Sequence, residues 1–152
     1  MIEHDVGRKL LLAQHAQLRV FIGILGSAGS AVLSADARGA ERLLPPLLDA
    51  IGKLQIQFDA HLTTEEAILE PVLGHIDAWG PERLEVLHLE HAHQRAVLSA
   101  LPTNNRPALS PHEVARSALA LAEDLLVDMA AEERDLLAVL RDDAICLDQS
   151  DA

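Results

Sequence analysis

Residues 47–72 read LLDAIGKLQIQFDAHLTTEEAILEPV, and a single periodicity runs through them. Leu47, Ile51, Leu54, Phe58, His61, Glu65, Ile68 and Val72 succeed one another at alternating steps of three and four, which puts them on one stripe of an α-helix. Most of the stripe is apolar, as a buried face requires. The exceptions are an imidazole and a carboxylate four residues apart, one above the other on the same face.

Outward from this stretch the design recurs. Leu11, His15, Leu18, Ile22 and Leu25 form an upstream stripe, and Leu84, Leu87, His91, Leu98 and Leu101 a downstream one. The last segment offers Ala118, Leu121, Leu125, Asp128, Glu132, Asp135 and Val139. No segment alternates as a strand does. The pattern predicts an all-α fold, an antiparallel up-down-up-down four-helix bundle. The first helix is expected from about residue 4 into the high twenties or beyond. Pro45–Pro46, suited to a first turn, opens the second, which runs to about Leu69 ahead of Pro71 and Gly74. Gly80–Pro81 opens the third, which stops before Pro102. Ser110–Pro111 gives the fourth an N-cap and an N1 proline, and it runs to about Arg141. The bundle is expected over residues 1–141 and an acidic tail over residues 142–152. The chain reads as free of internal repeats.

Composition narrows the function. At 152 residues the chain fits one domain able to bury a core without disulfides. It has two Phe, one Trp and no Tyr, so the core must be aliphatic. A net charge of −12 argues against nucleic acid and against an anionic membrane, both of which reward Lys and Arg. The lone Cys146 excludes a disulfide framework and a Cys-ligated zinc or iron–sulfur site. The opening MIEHDVGRKLLL is acidic where a signal peptide is basic. The longest uncharged run, Val20 to Ala35, is short for a membrane span and diluted by Gly and Ser. A soluble cytoplasmic protein is expected.

His15, His61, Glu65, His91, Asp128 and Glu132 thus all replace apolar residues on inward stripes. In an up-down-up-down arrangement each lies about ten or eleven residues from the same end of the bundle, a common depth of about 15 Å. Carboxylates and imidazoles gathered there cannot stay uncompensated, since an unpaired buried charge costs several kcal/mol. Cations would neutralise the carboxylates and accept the imidazole lone pairs. Six protein ligands suit two metal ions, and mixed N/O ligation favours iron, with manganese and zinc as the other candidates.

The order of these residues resembles the hemerythrin-like, or HHE cation-binding, domains. The resemblance rests on a His in the first helix, His61-Leu-Thr-Thr-Glu65 in the second and Glu90-His91 in the third. In the fourth, Asp128-Met-Ala-Ala-Glu132-Glu133 aligns with that family's His-x-x-x-Glu-Glu. It covers about residues 4 to 141. It implies a four-helix bundle holding two non-haem irons that acts on oxygen, nitric oxide or peroxide. It further implies His15, His61 and His91 as terminal ligands, Glu65 and Glu132 as bridges, and Asp128 as a terminal carboxylate where the family usually has histidine. The His-x-x-x-His of oxygen carriers is missing from the third helix, because Ala92 stands four residues after His88. A donor set richer in carboxylates stabilises the ferric state and favours sensing or redox chemistry over reversible carriage.

Each residue also has a plainer reading. His15 or His91 alone would be a hydrogen-bonded core histidine, and His61 with Glu65 an internal ion pair. Asp128 with Glu132 resists that account, because like charges four residues apart repel on a bare helix. His88 lies within a turn of His91 and is a candidate partner of the site. Glu66, Glu90 and Glu133 sit one step round the helix from ligands, as supporting or surface groups. His93 is expected in solvent, and His4, His75 and His112 at helix ends or in loops. Phe58, one turn before His61, reads as core. Three functions compete: a di-iron binder or sensor of a small molecule, a di-metal redox enzyme or iron handler, and a metal-free interaction module. The second class normally carries Glu-x-x-His on two helices, whereas Glu85-x-x-His88 and Glu90-x-x-His93 crowd onto one.

Overall fold

The structure is a computed structural model that describes residues 4–103, 110–138 and 140. Its elements are α1 (His4–Ser34), α2 (Ala37–Ile76), α3 (Gly80–Ala100) and α4 (Pro111–Asp135). No strand occurs among the described residues. Residues 104–109, Val139, Arg141, and the tail with Cys146 lie outside the description, so the expectations for them do too.

The stripe that opened the sequence reading is buried throughout, from Leu47 to Val72. The start of its helix, however, is not Pro45 but Ala37. Asp36 caps the helix, its Oδ1 accepting from the Gly39 N–H at 2.8 Å. Pro45, Pro46 and Pro71 therefore lie inside the 40-residue α2. All three are exposed, so water can take the carbonyls that their missing N–H groups leave free. A proline pair on a solvated face is compatible with a helix that tertiary packing holds. α2 also continues past Leu69 to Ile76, where burial of Val72 and Leu73 outweighs the Pro71 signal.

α1 runs through its glycines to Ser34. Gly29 lies against α4: a Cβ there would stand 3.2 Å from Leu119. α4 starts as expected, with a Ser110–Glu113 capping box and Pro111 in the first turn. It gives way to a turn at Leu136, although Leu137 and Leu140 remain buried. The junction of α2 and α3 is tight at Gly80, where any Cβ would lie 2.1 Å from the Leu73 carbonyl oxygen.

α1 packs on α2 and α4, and α3 packs on α2, but α3 and α4 scarcely touch. Two apolar clusters fill the interior, one around Leu25, Leu54, Phe58 and Leu125, the other around Leu11, Leu69, Leu73 and Leu87. A polar layer separates them. By length and composition α1 is apolar enough to cross a membrane over Asp5–Ser34, a longer stretch than Val20 to Ala35. Yet that helix carries His15 into the layer and packs against two others.

Candidate metal centre

Five of the expected ligand residues meet in that layer. His15, His61, Glu65 and His91 are fully or nearly fully buried, and Glu132 is 14 % exposed at its side chain. One ligand atom from each of His15, His61, Glu65 and Glu132 lies within 4.8 Å of the others. His91 joins through Glu65, its Nε2 3.1 Å from Oε1. These five residues, from all four helices, therefore lie together in one layer.

Asp128 departs from the expectation that all six face inward. It is exposed, and its Oδ2 accepts from Gln94 Nε2 at 3.1 Å across the gap between α3 and α4. The stripe of α4 passes through Leu125 and Met129 to Glu132, leaving Asp128 on the flank. Because α3 stands away from α4, nothing among the described residues covers that flank.

The buried imidazoles are held at both ring nitrogens. His15 Nε2 lies 3.1 Å from Glu132 Oε1, while its Nδ1 donates to Glu133 Oε1 at 3.0 Å, which Arg19 contacts at 2.8 Å. His91 Nε2 lies 3.1 Å from Glu65 Oε1, while its Nδ1 donates to Glu66 Oε1 at 2.8 Å, which Arg95 contacts at 2.7 Å. Here the sequence reading requires correction, because the chain does contain a repeat. His15…Arg19 matches His91…Arg95, and Glu65-Glu66 matches Glu132-Glu133. Each Glu-Glu pair grips one imidazole from both sides, and each arginine sits one turn after the histidine it supports. In this scheme His61 corresponds to Asp128. The His-Ala-Gln-Leu-Arg and His-Ala-His-Gln-Arg segments carried the signal, but it spans only a few positions on helices of unequal length.

Electrostatics fixes the tautomers. Arg19 holds the Glu133 carboxyl below its ordinary range, and Arg95 does the same for Glu66. Both are therefore carboxylates that only accept, so Nδ1 of His15 and of His91 carries the proton and Nε2 points inward. His61 Nδ1 is 2.8 Å from Gln14 Oε1, an amide acceptor, so its Nε2 is the inward lone pair too. The His15 and His61 Nε2 atoms face each other at 3.2 Å. Two lone pairs cannot meet at that distance without a proton or a cation between them. Burial lowers the affinity of His15 for a proton, but Glu132 and Glu133 outweigh it and the net shift is upward. His91 is raised in the same way, Glu65 and Glu66 overcoming burial.

Glu132 is pushed up to about 8, by burial first and by neighbouring Glu65 as well, against the pull of His15. Glu65 goes the opposite way, held low because His61, His91 and a protonated Glu132 together outweigh its burial. Its Oε2 is buried and lies 2.9 Å from His61 Nε2, but at an angle that makes no hydrogen bond. An anionic oxygen without a donor, beside converging imidazole nitrogens, fits a bound cation. The donor set, carboxylate oxygen and imidazole nitrogen, suits a transition metal of intermediate softness.

Other histidines separate cleanly. His88 is exposed and pairs with Glu70 at 2.6 Å, away from the cluster. His93 is exposed beside the α3–α4 gap. Phe58 is core and also packs edge-on against His61, with ring centroids 5.9 Å apart. Gln14, Arg19 and Arg95 escaped the sequence reading because each lies outside the apolar stripes. Their positions one residue before or four after a candidate histidine were the available clue.

The geometry defines a class, a helical bundle with a buried histidine–carboxylate cluster in its core that could hold a metal ion. Within that class, the sequence model of the hemerythrin HHE cation-binding domain matches residues 6–141. The chain belongs to that family. Comparisons with curated proteins and with solved structures give no match.

Proposed function

We propose that this protein is a cytoplasmic, antiparallel bundle holding two non-haem irons that binds or senses oxygen, nitric oxide or peroxide. The observation that carries the metal reading is the pair of facing Nε2 atoms of His15 and His61 beside the unbonded Glu65 oxygen. One cation would be held by His15, His61, Glu65 and Glu132. The repeat turns that set into His91, Asp128, Glu132 and Glu65, the residues that would hold a second cation. Asp128 would complete that second seat from the groove side.

Bound iron would supply one-electron redox chemistry and an open coordination position. The chain's own residues do the rest. Glu133 and Glu66, each anchored by arginine, keep Nδ1 protonated and Nε2 available. Phe58 and Leu62 exclude water on one side of the layer. Asp128 in place of a fourth imidazole makes the second seat the more anionic, which favours the ferric state. That observation favours sensing or redox turnover over reversible carriage.

The test is metal analysis of anaerobically purified protein, with absorption spectra before and after oxygen. The reading expects about two irons per chain and a new oxo-bridge charge-transfer band. Protein that takes up no iron, with melting unchanged by ferrous ion, would refute it. Recovery of the original spectrum under vacuum would favour carriage instead.

A further inference from the structure

The repeat that relates the two halves of the site exposes a difference between them. Between α1 and α2 lies a pocket of about 80 Å³ against His61, walled by Gln14, Gln17 and Gln57. Each residue lining it has a counterpart in a groove of about 920 Å³ between α3 and α4. Three of the six counterparts are carboxylates: Gln14 becomes Glu90, Gln57 becomes Asp124, and His61 becomes Asp128, while Gln17, Leu18 and Ala60 become His93, Gln94 and Val127. One half is small and lined by neutral amides, and the other is wide and acidic. Asp135 adds to that acidity, and the groove's arginine, Arg83, is already paired with Asp77 at 3.0 Å. At its floor stand His91 and Glu132, members of the buried cluster. The groove therefore joins solvent to the site, and Glu65 lies beyond that floor, its Oε1 3.1 Å from His91 Nε2.

We propose that the α3–α4 groove is the port through which a hydrated divalent cation reaches the buried centre, with Glu90, Asp124 and Asp135 as its steering rim. The proposal rests on the metal-binding reading above. A single-signed cleft with low-dielectric walls concentrates counter-ions and accelerates their capture, and salt weakens the effect. The same field repels phosphates and carboxylic acids. The Gln94–Asp128 hydrogen bond crosses the groove and must open as a cation passes to the floor. The amide-lined pocket on the other face has no charge with which to select cations.

The experiment follows Co²⁺ uptake by stopped-flow absorbance in the full chain, stripped of metal by chelation and checked for helicity. The rim variant Glu90→Gln/Asp124→Asn/Asp135→Asn keeps every proposed ligand. At low ionic strength it should take up Co²⁺ roughly tenfold more slowly than the parent. The difference should shrink as salt rises, while the final Co²⁺ content stays that of the parent. A control with Asp5→Asn/Glu41→Gln/Asp49→Asn loses the same charge outside the groove and should keep the parent rate. Ala60→Leu, which fills the amide pocket, should keep it as well. Equal rates for the rim variant and parent overturn the port, as does equal slowing in the charge control or slowing by Ala60→Leu. A lowered final content in the rim variant overturns it too, by making those carboxylates ligands. If the parent binds no Co²⁺, the metal-binding reading falls with it, an outcome distinct from the others.

Discussion

Glu132 offers the most direct test of the buried cluster. In the metal-free protein its carboxyl is raised to about 8, because it is buried beside Glu65. At pH 6.5 it is therefore protonated, and a metal ion that takes its oxygen must expel that proton. Apparent affinity should rise about tenfold per pH unit below 8, so binding at pH 6.5 should be about 30-fold weaker than well above pH 8. His15 and His91, also raised, steepen the dependence in the same direction. The assay is Zn²⁺ titration against a competing chelator at several pH values, with proton release measured in two buffers of different ionisation enthalpy. Glu132→Gln should bind weakly and lose the component of proton release centred near pH 8. The same shift makes a stability statement. A folded pKa above the unfolded value means stability that is complete below about 4.5 and lost as pH rises through 8. From 4.5 to about 8 that is at most ~5 kcal/mol, opposed by the lowered Glu65, whose contribution is present above 4.5. Metal-free protein should thus melt lower at pH 9 than at pH 6, and Zn²⁺ should remove the difference. Affinity that stays flat between pH 6 and 8, with no proton released, would refute the reasoning.

Other expectations follow from the same contacts. Glu66→Gln exchanges the carboxylate that accepts from His91 Nδ1 for a neutral amide and should weaken metal binding about 10–100-fold without changing helicity, read by chelator competition and circular dichroism. Glu132→Ala should lose metal while His93→Ala retains it; equal metal content in the two would show that the helix faces are misassigned. Phe58→Ala should cost about 3–5 kcal/mol in denaturant unfolding, since the ring is buried and also packs on His61. His88→Ala removes only an exposed pair with Glu70 and should change stability by less than about 1 kcal/mol in the same assay.

The residues that sequence reading placed best are those whose environment is set by periodicity. Leu47 to Val72, and Leu11 to Leu25, are buried as their spacing requires. Helix ends were legible where local chemistry dominates, as at Ser110–Pro111, where the cap is formed within four residues. They were illegible where packing overrides local preference. Pro45–Pro46 signals a helix start only if nothing upstream holds the chain, and the Asp36 cap with buried Ala40 holds it. The polar partners were harder still, because Gln14, Arg19 and Arg95 act across helices and have no periodicity of their own.

Asp128 shows why a stripe and a site are different objects. Its counterpart His61 is buried because α1 closes over that flank of α2, with Gln14 supplying the acceptor for Nδ1. At Asp128 the equivalent neighbour is Glu90, a second carboxylate. Two carboxylates lining one groove do not draw α3 onto α4, which the Gln94–Asp128 hydrogen bond links across the gap, whereas Gln14 and His61 attract. The gap beside α4 is thus consistent with the same substitutions that make the second seat anionic. A cation bridging α3 and α4 would remove the repulsion, so metal occupancy and closure of the groove should be coupled. Trp79, the only tryptophan, lines that groove and reports the coupling. Zn²⁺, which does not quench indole, should shift its emission to the blue in the parent. It should do so far less in Asp128→Asn, where the repulsion is already relieved. An identical shift in both proteins would mean that the charge at residue 128 does not hold the helices apart.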